Sequence, residues 1–562
     1  MRRVLVGGLL LASFRVYAQE DAVTRAMHEE MQRSMQKLQL EQLDKPYFIS
    51  YRVVDSDSKE VSATLGSVLS RSESRTRFLT VSVRVGDYSL DNSNFLSLPF
   101  GGTGVVQMFG GNMQLPLDDN YEELRRQIWL ATDGAYKKAL EDLSGKRAAL
   151  QDKNRVENIP DFTKATPVSI TDIAPRADVD LPNATKIVRE ASATFRQMPY
   201  IQTSQVELSS ENKLERYLNS EGTTFTREAP RVTLRVSAST QAADGMPLSD
   251  FLAAYGYAMK DLPSESVLLT QIHKMGEQLS KLRNAPLEDR YDGPVLFEDQ
   301  AAAELFARHF AELLPAQPNV IASNPQLLQS LRVQQSNGLL NKLHSRVLPD
   351  FLTVVDDPTA THAGDSILLG GYKIDEEGVP SKQTLVVQDG ILKTVLTSRA
   401  PVRGVLESTG NLRERGVEAS NLFVNSSKSS SPEELRKQLV GSAKSRGNAY
   451  GIVIRRLSAN SVILAYRIYE DGHEELIRNA EISGVNSASF KEILAVSNQR
   501  IVYTEGTPLR NNSPFNLNPS SGGRPLISYV VPSLLFEDVT IEKPSGEVPK
   551  PPIASSPLAE KQ

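Results

Sequence analysis

The spacing of apolar residues predicts a helix followed by an antiparallel sheet near the N-terminus. Between Glu20 and Gln42 the apolar side chains recur at helical intervals, and residues 47–54 then alternate as in a strand. Two further alternating runs, residues 61–69 and 77–85, follow at short intervals. This order predicts one helix and a three-stranded meander.

A second stretch of the chain repeats this pattern. The apolar spacing predicts helices from Tyr121 to Leu143 and from Ala184 to Arg196. Residues 200–239 then show the same order of strand, turn and strand as residues 47–86. The similarity suggests an internal duplication.

The C-terminal half has short alternating runs and strong turn signals, which predict a sheet. Asp389-Gly390 and Asp471-Gly472 each separate two such runs and predict β-hairpins. Ser431, followed by Pro432 and Glu434, is typical of a helix N-terminus with a capping box. We therefore predict a strand-rich region with few helices.

Prolines and glycines indicate how the chain divides into domains. Four prolines fall within residues 153–186, and the break at residues 291–294 follows a helical stretch. We predict an α+β protein with an N-terminal domain of antiparallel meanders and packed helices. The predicted segments are a signal peptide (1–18), a first meander (19–152), a linker with little regular structure (153–186), a second meander with its helix (187–288), a strand-rich C-terminal domain (289–543) and a disordered tail (544–562).

Composition narrows the class of protein. A chain of 562 residues, 40% of them hydrophobic and 23% charged, is expected to fold into more than one globular domain. The net charge of -5 and the scattered Lys and Arg residues argue against nucleic acid as a partner. No long apolar run follows the N-terminus, so we expect no membrane span in the mature protein.

The N-terminus has the pattern of a secretory signal peptide. Arg2 and Arg3 precede an apolar run over residues 4–14, and cleavage is expected after Ala18. The mature protein would then be periplasmic or secreted. The alternative is a short N-terminal helix in a cytosolic protein.

The chain offers few groups for metal or nucleophilic chemistry. It has no cysteine, and no two of its six histidines lie within six residues, so neither HExxH nor HExxxH occurs. His309 and Glu312 are weak metal candidates because they could share a helix face, although a surface histidine paired with a carboxylate is far commoner. Ser34 and Lys37 fit a Ser/Lys spacing that also arises by chance.

Two other segments have residue types that occur in functional sites. The acidic cluster at residues 375–377 could do acid-base work, but its turn residues favour a solvated loop. The glycine-rich loop at residues 101–111 lacks the Gly-Lys-Ser/Thr ending of a phosphate-binding loop. Neither segment predicts a specific function.

Several segments together resemble the TldD/PmbA (TldD/TldE) metallopeptidase family. Residues 291–306 are similar to the strand and helix that carry the metal motif of this family. The remaining similar segments follow in the family's order: residues 356–359, 378–380, 450–453, 479–486 and 531–537. The N-terminal part resembles the exported branch.

The resemblance also implies that the metal site has been lost. In catalytic members an HExxxH motif and a C-terminal cysteine bind zinc, whereas here Ala307, Arg308 and Glu312 stand at the motif positions. Arg308 would place a fixed positive charge where a cation should bind. We therefore expect no metal cofactor and no catalytic residue at this helix.

The resemblance implies a function for such a metal-free, TldE/PmbA-like chain. It would be the non-catalytic or peptide-binding subunit of an exported metallopeptidase, paired with a metal-bearing TldD-like paralogue or with itself. Unfolded or extended peptides would be the substrates of the complex. The alternatives are a stand-alone periplasmic peptide-binding protein and a metallopeptidase with a remodelled site.

Overall fold

The computed structural model describes most of the chain beyond residue 20. The described ranges are residues 21–96, 112–151, 159–322, 338–414, 416–458, 461–478, 480–505 and 526–544, with scattered residues at 324–328 and 546–559. The predicted signal peptide and the glycine-rich loop lie outside these ranges. Within them, no helix is long and apolar enough to cross a membrane.

The N-terminal region is an antiparallel sheet built mainly from two long hairpins. Its strands follow the order β4-β2-β1-β6-β7-β5, with β8 also paired to β7, and β3 pairs instead with β10 (Ile321–Ala322). The strands are β1 (Pro46–Thr64), β2 (Ser67–Val85), β3 (Phe95–Leu96), β4 (Asn112–Gln114), β5 (Ser169–Asp172), β6 (Thr203–Asn219), β7 (Thr224–Gln241) and β8 (Pro247–Gly256).

The prediction of three strands at the start of the chain is wrong. One of the predicted strands is a hairpin turn together with the ends of the two strands that it connects. The prediction places residues 61–69 in a single strand, but β1 ends and β2 begins within them. Leu65 and Gly66 form the turn with φ of 46° and 76°. A hairpin of this kind requires positive φ at both central residues, and leucine is rarely found there. The sequence signal for the turn was therefore weak.

Four helices pack against one face of this sheet. They are α1 (Ala22–Lys37), α2 (Tyr121–Gln151), α3 (Leu181–Ala193) and α4 (Glu265–Leu282). The first two pack on β1 and β2, and the last two on β6, β7 and the far end of β1. Apart from β3 and β5, the two halves share the order helix, three strands, helix, as the suggested duplication requires.

The predicted linker, residues 153–186, has more regular structure than expected. β5 pairs in parallel with β7, and α3 begins at Leu181. Asp180 caps this helix through a bond from the Asn183 N–H of 3.0 Å, and Pro182 lies in the first turn. Asp at the N-cap and Pro in the first turn both favour the start of a helix. β5 is too short to show the alternation of apolar and polar residues that predicts a strand.

The C-terminal region is dominated by an eleven-stranded sheet. Its order is β15-β14-β11-β18-β24-β22-β20-β19-β9, with β21 on β20 and β23 on β24. The remaining strands are β9 (Arg290–Phe297), β11 (Leu352–Asp356), β12 (His362–Ala363), β13 (Ser366–Ile367), β14 (Thr384–Gln388), β15 (Ile391–Leu392), β16 (Leu412–Arg413), β17 (Gly416–Val417), β18 (Asn421–Ser426), β19 (Gly451–Ser458), β20 (Ser461–Ile468), β21 (Glu474–Ile477), β22 (Ala480–Ser483), β23 (Ile493–Glu505) and β24 (Ile527–Glu542).

Two helices cover opposite faces of this sheet, α5 (Asp299–His309) and α6 (Pro432–Ser445). Phe297 of β9 belongs to the core beneath α5, whereas its neighbour Leu296 packs against α6. Because consecutive residues of a strand point to opposite faces, the two helices must lie on different sides. The position of α5 decides where the candidate site lies.

The turn and cap predictions for this region are confirmed. β14 pairs with β15 around Asp389-Gly390, and β20 pairs with β21 around Asp471-Gly472. Ser431 and Glu434 form the capping box at the start of α6. The α+β class with a strand-rich C-terminal region is likewise confirmed.

Candidate functional site

Helix α5 does not bring the predicted motif positions together. Ala307 is buried in the core, and Arg308 is exposed one residue later. The helix ends at His309, and Glu312 lies beyond it, exposed on a 3₁₀ turn whose Ala311 is buried. A metal motif on a helix needs its ligands on one face, so Ala307, Arg308 and Glu312 do not form a site.

The buried carboxyl of Glu304 is the site residue that the sequence did not reveal. Glu304 is 5% exposed. Its Oε1 accepts a hydrogen bond of 2.7 Å from the Gln300 amide, and its Oε2 accepts one of 2.8 Å from the Leu457 N–H. Burial raises the pKa of the Glu304 carboxyl to about 7. A carboxyl that titrates near neutrality can act as an acid or a base.

Glu304 and Arg308 lie one helical turn apart. Shifted by one turn, an HExxxH motif falls on Ala303, Glu304 and Arg308, and this register keeps the glutamate. Both histidines are still missing, because Ala303 and Arg308 occupy their positions. Neither register therefore supplies the imidazole ligands that zinc requires.

A cavity of about 980 Å³ opens beside this face of α5. Its walls come from α5, from β7 and β8 of the N-terminal sheet, and from β23 of the C-terminal sheet. Its lining includes Arg235, Phe251, Glu304, Arg308 and Tyr503. The cavity thus lies between the two sheets, where ligand sites are common.

Two strand edges line this cavity. Residues 251–255 of β8 and residues 501–504 of β23 contribute to its walls without a gap. Alternate residues of a strand point to opposite faces, so a wall made of consecutive residues is the edge of the strand. Among the residues that the structure describes, β8 pairs with β7 and β23 pairs with β24. The cavity is therefore bordered by the outer edges of β8 and β23.

The acidic cluster at residues 375–377 is not the solvated turn that the sequence favoured. Asp375 is 1% exposed and accepts hydrogen bonds of 2.9 Å from the Glu377 and Val379 N–H groups. Burial, with the nearby charge of Glu377, raises the pKa of Asp375 to about 7. The cluster packs against the N-terminal sheet and lies far along the chain from that sheet, so its burial could not be predicted locally.

Glu376 takes part in a buried ionic network that joins the two regions. Arg52 of β1 and Arg227 of β7 each contact both Glu215 of β6 and Glu376. Burial alone would raise the pKa of Glu215, but the two guanidiniums hold it well below its usual range. Burial, with the charge of Glu215, raises the pKa of Glu376 despite Arg52. The network therefore holds the Glu376 side chain in place, which is a structural role.

The other candidates have structural explanations or do not converge. Ser34 is buried, and its hydroxyl accepts a hydrogen bond of 3.3 Å from Tyr51, which ties α1 to β1. His309 is partly exposed at the end of α5. Across the described ranges, no group of three His, Cys, Asp or Glu side chains is placed to hold a metal ion.

The pKa of Glu304 should make stability depend on pH. A carboxyl whose pKa rises from 4.5 to about 7 on folding stabilises the fold fully below pH 4.5, and this contribution is lost as pH rises through 7. Between pH 5 and pH 8 we expect the free energy of unfolding of the original protein to fall by about 2 kcal/mol more than that of Glu304→Gln. Urea unfolding of both proteins across this range measures it. Parallel pH profiles would show that Glu304 titrates normally.

The C-terminal region is similar to known proteins. Residues 289–543 match the family model of the PmbA/TldA metallopeptidase C-terminal domain. The chain is 34% identical over 162 residues to a metalloprotease of Methanocaldococcus jannaschii, an alignment covering 27% of this chain and 35% of that protein. A metalloprotease of Archaeoglobus fulgidus is 28% identical over 162 residues, or 27% of this chain and 36% of its own length. The chain thus spans about a third of these curated relatives.

A solved structure extends the similarity of the fold to nearly the whole chain. TldE from Thermococcus kodakarensis superposes with a TM-score of 0.56 over 92% of this chain and 99% of its own, at 14% sequence identity. At this identity the match concerns the fold alone. The N-terminal sheet is therefore part of the shared architecture.

Proposed function

We propose that this chain, whose residues 289–543 form a PmbA/TldD-type metallopeptidase domain, is a peptide-binding subunit without a metal site of its own. One observation carries the proposal. The helix that borders the cavity presents Glu304 and Arg308 to it, and neither register of the metal motif retains a histidine. Arg308 instead directs a fixed positive charge to this face.

The residues present do not fit a zinc ion. The chain has no cysteine, so the thiolate that catalytic relatives are expected to use is missing as well. A lone carboxyl beside a guanidinium favours neither the charge nor the coordination number of zinc. Hydrolysis in a complex would therefore depend on a second chain that carries the intact motif.

The two strand edges support peptide binding. An extended peptide can pair its backbone with a free edge and thereby bind with little dependence on sequence. Binding with little dependence on sequence would suit a subunit whose partner is a peptidase that acts on unfolded chains. The signal-like residues 1–18 support action outside the cytoplasm. We propose that the chain pairs with a metal-bearing paralogue and not with a second copy of itself.

Metal content and proteolysis together test the absence of catalysis. We expect the mature protein, beginning at Gln19, to contain zinc well below one ion per chain and to leave denatured casein uncleaved. Elemental analysis and a casein assay with and without a chelator measure both properties. Adding a paralogue with an intact HExxxH should give chelator-sensitive cleavage.

One observation favours a second function, that of a hydrolase with a remodelled site. Glu304 is buried and its pKa lies near 7, as in many general acids and bases. The same experiment separates the two functions. Stoichiometric metal with chelator-sensitive cleavage by this chain alone, abolished by Glu304→Gln, would establish the hydrolase and refute the subunit proposal.

A further inference from the structure

The cavity beside α5 continues into a second cavity at the start of the same helix. The second cavity has a volume of about 650 Å³, and its walls include α4, β19, β20 and the first turn of α5. Four residues line both cavities: Leu252, Gln271, Gln300 and Ile501. The cavity of about 980 Å³ is therefore the first chamber of a longer cleft, and its neighbour is the second chamber.

The cleft is long enough for several residues of an extended peptide. Along α5 it runs from Asp299 in the second chamber to Arg308 in the first, about 14 Å at the rise of a helix. Along β23 it runs from Gln499 to Thr504, about 17 Å at the rise of a strand. An extended chain advances about 3.3 Å per residue, so the two chambers together hold about four to five residues.

The charged side chains of the first chamber balance one another closely. Glu207, Asp261 and Glu304 share its walls with Arg235 and Arg308. Arg235 lies directly opposite Glu207 across β6 and β7. Asp261 and Glu304 each accept hydrogen bonds from backbone N–H groups. Walls of this kind give little reason to select an acidic or a basic ligand.

The arginines of the second chamber are likewise paired with carboxylates. Arg436 donates to both carboxylate oxygens of Glu298, at 2.8 and 2.9 Å, and Arg455 contacts the same carboxylate at 3.2 Å. Arg456 contacts Asp250 at 2.6 Å. The two remaining charged residues on its wall have opposite signs, Lys274 and Asp299. The second chamber therefore also lacks a dominant charge.

Apolar side chains lie among these polar groups in both chambers. Phe251 and Val267 line the first chamber, and Met275 and Leu464 line the second. An extended peptide alternates side chains with backbone polar groups along its length, so it can contact apolar and polar walls at the same time. A compact small molecule could use the walls of one chamber only.

We propose that the two chambers form one binding cleft for an extended peptide, which lies along α5 and β23 with one part in each chamber and is selected by its length rather than by its charge. This inference rests on the proposed peptide-binding function and adds the size of peptide that the site selects. Gln300 and Ile501, which line both chambers, contact the middle of the peptide. A peptide of two or three residues fills one chamber and loses the contacts of the other.

Binding of unlabelled peptides of different lengths tests the proposal. The probes are a tripeptide, a hexapeptide and a nonapeptide of Ser, Thr and Val, acetylated and amidated to remove the terminal charges. Two further hexapeptides carry one Glu or one Lys. Isothermal titration calorimetry with the mature chain measures each dissociation constant. We expect the hexapeptide to bind about ten-fold more tightly than the tripeptide, and the nonapeptide to bind at most about two-fold more tightly than the hexapeptide.

The absence of cysteine allows each chamber to be blocked separately. Ser237→Cys places a single thiol on the wall of the first chamber, and Ser533→Cys places one on the wall of the second. Ser74→Cys, at an exposed position on β2 outside both chambers, is the matched control. Each thiol is modified with a bulky disulfide-forming reagent and released again with a reductant. Circular dichroism checks that each variant is folded before and after modification.

Blocking either chamber should remove the advantage of the longer peptide. The hexapeptide should bind the modified Ser237→Cys and Ser533→Cys variants about ten-fold more weakly, as the tripeptide does, and reduction should restore its affinity. Modification of Ser74→Cys should leave every dissociation constant unchanged. The hexapeptides with Glu or Lys should bind within about three-fold of the uncharged one.

The outcomes separate the inference from the proposed function. Equal binding of tripeptide and hexapeptide, or no effect of modifying Ser533→Cys on the hexapeptide, would overturn the two-chamber cleft and leave peptide binding intact. A ten-fold preference for the peptide with Glu or for the peptide with Lys would overturn selection by length alone. If no peptide of any length binds, the peptide-binding function itself fails and the inference with it.

Discussion

Glu215→Gln should lower the free energy of unfolding by about 3 to 5 kcal/mol at pH 7. Glu215 is 5% exposed and lies between the guanidiniums of Arg52 and Arg227, the second of which donates to its Oε2 at 2.7 Å. Removing its charge leaves two half-buried arginines that share Glu376, with Glu414 at 3.8 Å from Arg52 as a more distant carboxylate. An uncompensated buried charge is among the costliest defects a fold can carry.

Glu376→Gln is the matched control, because it changes the neighbouring carboxyl of the same network. Since its pKa is raised, Glu376 already holds its proton for part of the time near neutrality. The same substitution should therefore cost no more than about 1 kcal/mol, and less as pH falls. Urea unfolding followed by circular dichroism measures both variants. Equal losses would mean that the two carboxyls share the charge evenly.

Phe490→Ala should cost about 3 to 5 kcal/mol, because it opens a cavity where four aromatic rings meet. Phe490 is fully buried in a 3₁₀ turn before β23. Its ring centroid lies 5.4 Å from that of Phe310, 5.3 Å from that of Phe536 and 6.1 Å from that of Phe306. The surrounding rings cannot collapse into the space without moving α5.

Two variants separate the cavity term from a general loss of apolar surface. Phe490→Leu keeps most of the volume and should cost about 1 to 1.5 kcal/mol. Leu494→Ala removes a side chain that is 42% exposed only four residues later and should change stability by less than about 0.5 kcal/mol. Unfolding midpoints in urea rank the three. A Phe490→Ala loss as small as that of Leu494→Ala would show that the rings do not support α5.

Much of the fold was predictable because it depends on local signals. Asp389 and Gly390 both adopt positive φ, as the predicted hairpin requires, and Asp-Gly is the sequence that tolerates this best. The capping box at Ser431 likewise involves residues only three apart. Where the local signal was weak, as at Leu65-Gly66, the turn was missed although the alternation of both strands was clear.

The candidate site was less predictable because its residues come from distant parts of the chain. Arg235, Glu304 and Tyr503 meet only when the two sheets pack together. Glu376 looked like a solvated residue because its ionic partners, Arg52 and Arg227, lie more than a hundred residues away. The family resemblance indicated the helix but not which of its turns faces the cavity.

β1 pairs with β6 from Ser50 to Ala63 and so joins the two hairpins. This pairing, the seam of the sheet, determines where the chain tolerates insertions and deletions. It closes a long loop, yet loop-closure entropy grows only with the logarithm of length, by about 0.6 kcal/mol for each doubling. The register of the seam depends instead on side-chain alternation, since a slip by one residue would turn Val53 and Val61 away from the helices. Insertions between the hairpins therefore cost the fold little, whereas a single residue gained or lost within the seam would disrupt the whole sheet.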